Sequence, residues 1–160
     1  MPLIDHIPDL PDEYLAEIGR ITSRWSVVES LLHICLIRFS GGDPLDARWL
    51  VLFTHMNAQQ KLDAFGALLN ELKRGGHADA LKLLRSAKDQ RNAVIHATWE
   101  YDNGILAMGK HSAHGKLKIE GKPTTVAELR EVAELMFRAA EAVQELSVEV
   151  LAKEISQSGQ

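Results

Sequence analysis

Trp25-Ser26-Val27-Val28-Glu29-Ser30-Leu31-Leu32-His33-Ile34-Cys35-Leu36-Ile37 is the stretch on which the fold turns. With the residues around it, Leu15, Ile18, Ile21, Trp25, Val28, Leu32, Cys35 and Phe39 step by three or four, the period of an α-helix. Val27, Leu31, Ile34 and Ile37 fill the remaining faces, so this half of the helix is apolar almost all round. Such a helix crosses a deep core or faces a second subunit. The spacing predicts a first helix over about 12–39, entered past Pro8 and Pro11 and stopped by Gly41-Gly42-Asp43-Pro44.

Outward from that helix the same period recurs. Leu62, Phe65, Leu69 and Leu72 mark a second helical region over about 45–74, with a possible break near Asn57 and a stop at Lys73-Arg74-Gly75-Gly76. Leu81, Leu84, Ala87, Val94 and Ile95 predict a third helix over about 77–97. The pattern then changes to alternation at Thr98-Trp99-Glu100-Tyr101-Asp102, followed by the hairpin dipeptide Asn103-Gly104, a returning strand from Ile105 to Met108, and alternation again over Lys116-Leu117-Lys118-Ile119-Glu120. Thr125-Val126-Ala127-Glu128 fits a capping box that opens a last helix over about 126–154, and residues 156–160 read as a frayed tail. The expected architecture is a single all-α domain over 1–160, a four-helix up-down bundle with a small β insertion at about 98–120 between helices three and four.

Composition narrows the function. Hydrophobic residues are 46% and charged residues 25% of 160, as in one ordinary globular domain. A net charge of −4 argues against coating nucleic acid through bulk charge but leaves room for a local anion site. The single cysteine, Cys35, permits no internal disulfide and reads as a small buried residue. Met1 to Pro8 has no basic, apolar signal-peptide pattern, and no apolar run is long enough for a bilayer, so a cytoplasmic location and no membrane partner are expected. His33 and His55, set among apolar residues, read as hydrogen-bonded structural histidines. His111-Ser112-Ala113-His114 lacks further ligands at metal spacing, so neither a metal nor another cofactor is expected.

The chemistry concentrates in Arg91-Asn92-Ala93-Val94-Ile95-His96 at the end of the third helix. Positions 92 and 96 are one turn apart on a shared face, and the long Arg91 side chain can swing toward them. Cleaving RNA without a metal requires taking a proton from the 2′-hydroxyl, stabilising a phosphorane and protonating the departing 5′-oxygen. Histidine suits the proton transfers, and arginine's charged fork suits the phosphorane. An asparagine one turn before the histidine can hold its ring in one orientation. The alternative is a helix end where Arg91 and His96 offset the dipole and Asn92 caps.

The arginine, polar residue and histidine at this spacing, near the end of the third helix of a small helical protein, resemble the HEPN superfamily with its Arg-x(4–6)-His signature. The likeness spans the helical plan, about 12–97 and 126–154, and leaves the β insertion outside. It implies a homodimer whose two motifs line a shared cleft, and metal-independent endoribonuclease activity leaving a 2′,3′-cyclic phosphate. Arg91 would bind phosphate, His96 act as general acid and base, and Asn92 be the polar residue after the arginine. A role as toxin or phage-defence effector, with an antitoxin or regulatory partner, follows from the resemblance alone. Some members carry a tyrosine two residues beyond the histidine as the target of nucleotidyltransferase antitoxins. Here that position is Thr98, which argues against that mode of control. Non-catalytic members imply the other outcome, a module that binds nucleotide, RNA or protein.

Further residues are candidates for support. Glu29 could aim Arg91 from the first helix or sit on a solvated stripe, and Asp89 could orient the motif or face water. Lys110, Lys116 and Lys118 in the β insertion could hold RNA backbone, or protect a strand edge. Lys82, Arg85, Lys88 and Arg91 recur every three residues and spiral around their helix, a weak signal for tracking phosphates that reads more simply as solvated surface.

Overall fold

A computed structural model describes residues 9–72, 75–102, 105–112 and 118–158, with side chains throughout these except at 102, 110–112, 118–120, 151 and 153–158. Helix α1, Asp12–Phe39, follows Pro11 and carries Asp12 and Glu13 in its first turn and Arg38 in its last, matching the helix dipole at both ends. Its side chains at 21, 25, 28, 32, 35, 36, 37 and 39 are all buried. It packs against four other helices and is the post around which they stand. After Ser40 the chain reverses at Gly41, whose φ of 77° is open to glycine. A side-chain carbon at the next residue, Gly42, would lie 2.5 Å from the Trp49 ring, so only glycine lets the returning chain pass.

The helical region expected over 45–74 with a break near Asn57 is two helices, α2 (Ala47–Thr54) and α3 (Ala58–Glu71). The break is made by Asn57. Its side chain accepts from the Gln60 N–H at 3.0 Å while the Gln60 amide oxygen accepts from the Asn57 N–H at 2.9 Å, a complete capping box that starts a new helix. With α4 (Ala78–Ile95) and α5 (Val126–Ser158), the described residues form five helices where four were expected. Helix α2 contains no buried residue; Trp49 and Phe53 stack on each other, Phe53 meets His33 edge-on, and Leu50, Val51 and Leu52 are exposed.

Helix directions follow from who meets whom. Tyr14 reaches the Thr124 carbonyl, Glu17 reaches Arg130, and Arg24 reaches Ala133 and Glu134, so α5 runs parallel to α1. Phe39, the last residue of α1, stacks at 5.8 Å on Phe65 in the middle of α3. Lys88 meets Gln59, Arg85 meets Asp63 and Leu81 faces Gly66, so α4 runs back along α3. The common core is Trp25, Val28, Leu32, Leu36, Phe65, Leu69, Leu84, Met136 and Val143, all 2% exposed or less.

Between α4 and α5 lies an antiparallel meander, β1 (Thr98–Asp102), β2 (Ile105–Ser112) and β3 (Lys118–Pro123), in the order β1-β2-β3. Trp99 pairs with Met108 across β1 and β2 and packs edge-on against Tyr14, which fastens the sheet to the start of α1. Asn103-Gly104 lies outside the described residues. The Thr125–Glu128 capping box forms: the Thr125 N–H donates to the Glu128 carboxylate at 2.8 Å and the Glu128 N–H to the Thr125 hydroxyl at 3.2 Å. The backbone of α5 remains helical through Ser158, where a frayed tail from 156 was expected. No helix among the described residues is long and apolar enough to cross a membrane.

Glu17 ties α1 to α5. It is 3% exposed and accepts from Arg20 Nη1 at 2.6 Å and from Arg130 Nε at 3.1 Å. Burial alone would raise its carboxyl's pKa, but the hydrogen bonds from Arg130 and Arg20 and their charges leave it below the ordinary glutamate value. A carboxylate more acidic in the fold than in the open chain stabilises above its unfolded pKa, and that contribution disappears as pH falls through the folded one. Urea midpoints should therefore drop on acidification below the ordinary glutamate range. Glu17→Gln should lose about 1.5–3 kcal/mol at neutral pH and flatten that acid limb.

Candidate anion-binding cleft

Helix α4 brings Lys88, Arg91 and Asn92 to the wall of a cleft of about 480 Å³. Trp25 and Glu29 of α1 form a second wall, and Asn57, Ala58 and Gln59 at the start of α3 a third. The spacing on each helix explains the convergence: 25 and 29 are one turn apart, as are 88 and 91 or 92. The break at Asn57 opens the space, because α3 begins where α1 and α4 face one another.

Within the cleft the Arg91 guanidinium donates from Nη1 to the Asn92 side-chain oxygen at 3.0 Å. Its Nε is enclosed and has no partner. A buried donor left unpaired is costly, and an arriving oxyanion is a natural acceptor for an arginine fork. The Lys88 side chain is 16% exposed; its ammonium donates to Gln59 Oε1 and lies 3.1 Å from Asp89. Glu29 lines the same space yet makes no hydrogen bond or ion pair with a described residue, so its carboxylate is available to a ligand hydroxyl.

Several expectations change. Asn92 was expected to orient His96; its side chain instead holds Arg91. The two backbones are joined, with the His96 N–H donating to the Asn92 carbonyl at 3.1 Å, but the His96 side chain is exposed at the C-cap of α4 and is not part of the cleft wall. Asp89 does not orient the motif. It is 71% exposed and pairs with Lys88, since it points away from the α1 side of α4. Glu29 lines the same cleft as Arg91 but makes no hydrogen bond or ion pair with it. The side chains of Lys110 and Lys118 and the whole of Lys116 lie outside the described residues; the backbones of Lys110 and Lys118 sit opposite Glu120 and Ser112 in the β2–β3 ladder.

Lys88, Gln59 and Asn57 were missed as site residues. Lys88 was readable, because it precedes Arg91 by three and shares its face. Gln59 and Asn57 required knowing that a helix starts there. Cys35 is buried, and burial pushes its thiol up, in keeping with a packing role. His55 is exposed at the end of α2, and His33 has a buried Nε2 without a partner, so neither is the hydrogen-bonded core histidine expected from its apolar neighbours. No group of three or more potential metal ligands occurs among the described residues.

If the cleft takes oxyanions, inorganic phosphate or sulfate should raise the melting temperature of the protein in a concentration-dependent manner. About 2.7 kcal/mol is expected at a hundred times the dissociation constant. Arg91→Gln should remove that response in a scanning-calorimetry titration, while leaving the unliganded transition near its original position.

No family model matches the chain, and neither a curated protein nor a solved structure matches it.

Proposed function

We propose that this protein is a metal-independent endoribonuclease that acts as a homodimer. The observation that carries the proposal is the Arg91–Asn92 pair, with an enclosed and unpaired Arg91 Nε, in an open polar cleft. In the reaction, Arg91 and Lys88 hold the non-bridging oxygens of one phosphate. The 2′-hydroxyl gives up its proton, its oxygen bonds to phosphorus, and the bond to the 5′-oxygen breaks as that oxygen is protonated. The products are a 2′,3′-cyclic phosphate and a 5′-hydroxyl. Charge on the phosphorane grows where the guanidinium already sits, which is how such a group lowers a barrier.

His96 supplies proton transfer. Because it lies on the exposed end of α4 outside one chain's cleft, it works on a phosphate held at the seam between two chains. A second copy is supported by apolar side chains left in water: Val27 at 51% and Ile34 at 37% on α1, Phe137 at 44% and Val148 at 60% on α5. Such a nuclease fits the cytoplasm, and a toxin or defence role with a regulatory protein partner. A second function, binding RNA or nucleotide without cutting, is favoured by one fact: the cleft of a single chain includes Arg91 and Asn92 but not His96.

Purified protein should cut RNA in excess EDTA and leave cyclic phosphate ends. Arg91→Ala and His96→Ala should each reduce cutting, the histidine variant by about 10²–10⁴-fold, with unchanged circular dichroism and dimer mass. RNA that is bound by the wild type but never cut would establish the binding function instead. Unfolding of both variants would make the motif structural.

A further inference from the structure

Three charged side chains line the anion cleft, Lys88 and Arg91 on α4 and Glu29 on α1. The two cations have partners: Arg91 donates to Asn92, and Lys88 donates to Gln59 and pairs with Asp89. The amides of the wall are engaged as well, Gln59 with Asp63 and Asn57 in its capping box with Gln60. Glu29 is half-buried and makes no hydrogen bond or ion pair with a described residue. The hydroxyls of Ser26 and Ser30, close to it in sequence, donate to carbonyls of their own helix instead.

A carboxylate left open beside two cations weakens anion binding, since it repels whatever anion they hold. The arrangement suits a ligand with negative charge at one point and a hydrogen-bond donor close beside it. Every nucleotide of RNA has that pairing, because its 3′-phosphate and 2′-hydroxyl stand on adjacent carbons of one ribose. DNA lacks the hydroxyl, and base edges carry their donors farther from the phosphate. A cleft of about 480 Å³ has room for one nucleotide. Glu29 and Arg91 stand on different walls of it without pairing, so a ribose can sit between them.

We propose that Glu29 selects ribose and starts the cleavage. Its carboxylate accepts from the 2′-hydroxyl of the nucleotide whose 3′-phosphate lies on Arg91, and then takes that proton. The electron pair stays on the 2′-oxygen, which bonds to phosphorus as the bond to the 5′-oxygen breaks, and His96 gives the departing oxygen its proton. Glu29 then releases its proton to water and is ready for the next strand. A hydroxyl bound by a carboxylate is held more strongly than by a neutral acceptor, which offsets the repulsion from the phosphate. This rests on the ribonuclease proposal for the cleft and adds the base, which a cleft wall without an imidazole has to draw from another side chain.

The test titrates the full chain by calorimetry with uridine 3′-phosphate and its 2′-deoxy counterpart, neither of which can be cut. The ribose form should bind the wild type about tenfold tighter. Glu29→Ala should bring that ratio to one while inorganic phosphate binds at least as tightly as before. Glu29→Gln keeps an acceptor but cannot take a proton, so RNA cutting should fall by about 10²–10⁴-fold with part of the ribose preference retained. Equal wild-type affinities for the two nucleotides, or a Glu29→Gln protein that cuts like the wild type, would overturn the proposal. Loss of phosphate binding in Glu29→Ala would also overturn it, since the carboxylate would then be a support of the cleft. A wild type that cuts no RNA yet prefers ribose through Glu29 would overturn the ribonuclease proposal and the proton transfer, and leave the selection of ribose standing.

Discussion

The burial of one long stripe of α1 is the constraint from which the rest follows. A 28-residue helix whose buried stripe runs from Glu17 to Phe39 is too long to be covered by one neighbour, although Val27 and Ile34 on its other side stay exposed. It is covered by α5 running alongside it, by α3 and α4 as an antiparallel pair, and by α2 lying over His33 and Ile37. The three walls of the cleft are the polar ends of those same surfaces. Where Trp25 stops being core and Glu29 begins to face outward, α4 presents Arg91 and α3 presents its first turn. The site is thus a by-product of how a very apolar helix is wrapped.

The electrostatics divide into a closed system and an open one. At the start of α1, Glu17 satisfies two arginines and binds α5, so that charge is consumed in holding the fold. Around Glu29 the charges are not consumed. Arg91 retains a free donor at Nε, and Glu29 makes no ion pair with a described residue. The unpaired polar groups thus gather on one side of α1, while the Glu17 side is fully paired.

Much of the helical plan was legible because its period was strong. Helix α1 occupies the residues its apolar spacing marked, the Thr125–Glu128 capping box opens α5, and the alternation after residue 97 gives a sheet. The break expected near Asn57 is there too, made by a full capping box with Gln60. What escaped is the polar geometry of the site. The motif was legible as residue types but not as geometry. Sequence places Asn92 and His96 on one face, yet a guanidinium next in the chain competes for the same amide and wins it.

Helix α2 has a consequence for motion. With no residue of its own fully covered and with three aliphatic side chains in water, it is fastened mainly through Trp49 and Phe53. Local opening costs least where the least apolar surface is withdrawn from solvent, so its amide protons should exchange sooner than those of the other helices. Each such excursion uncovers the imidazole of His33. Among the described helices, the one with the least buried surface is therefore the one that closes over the His33 ring.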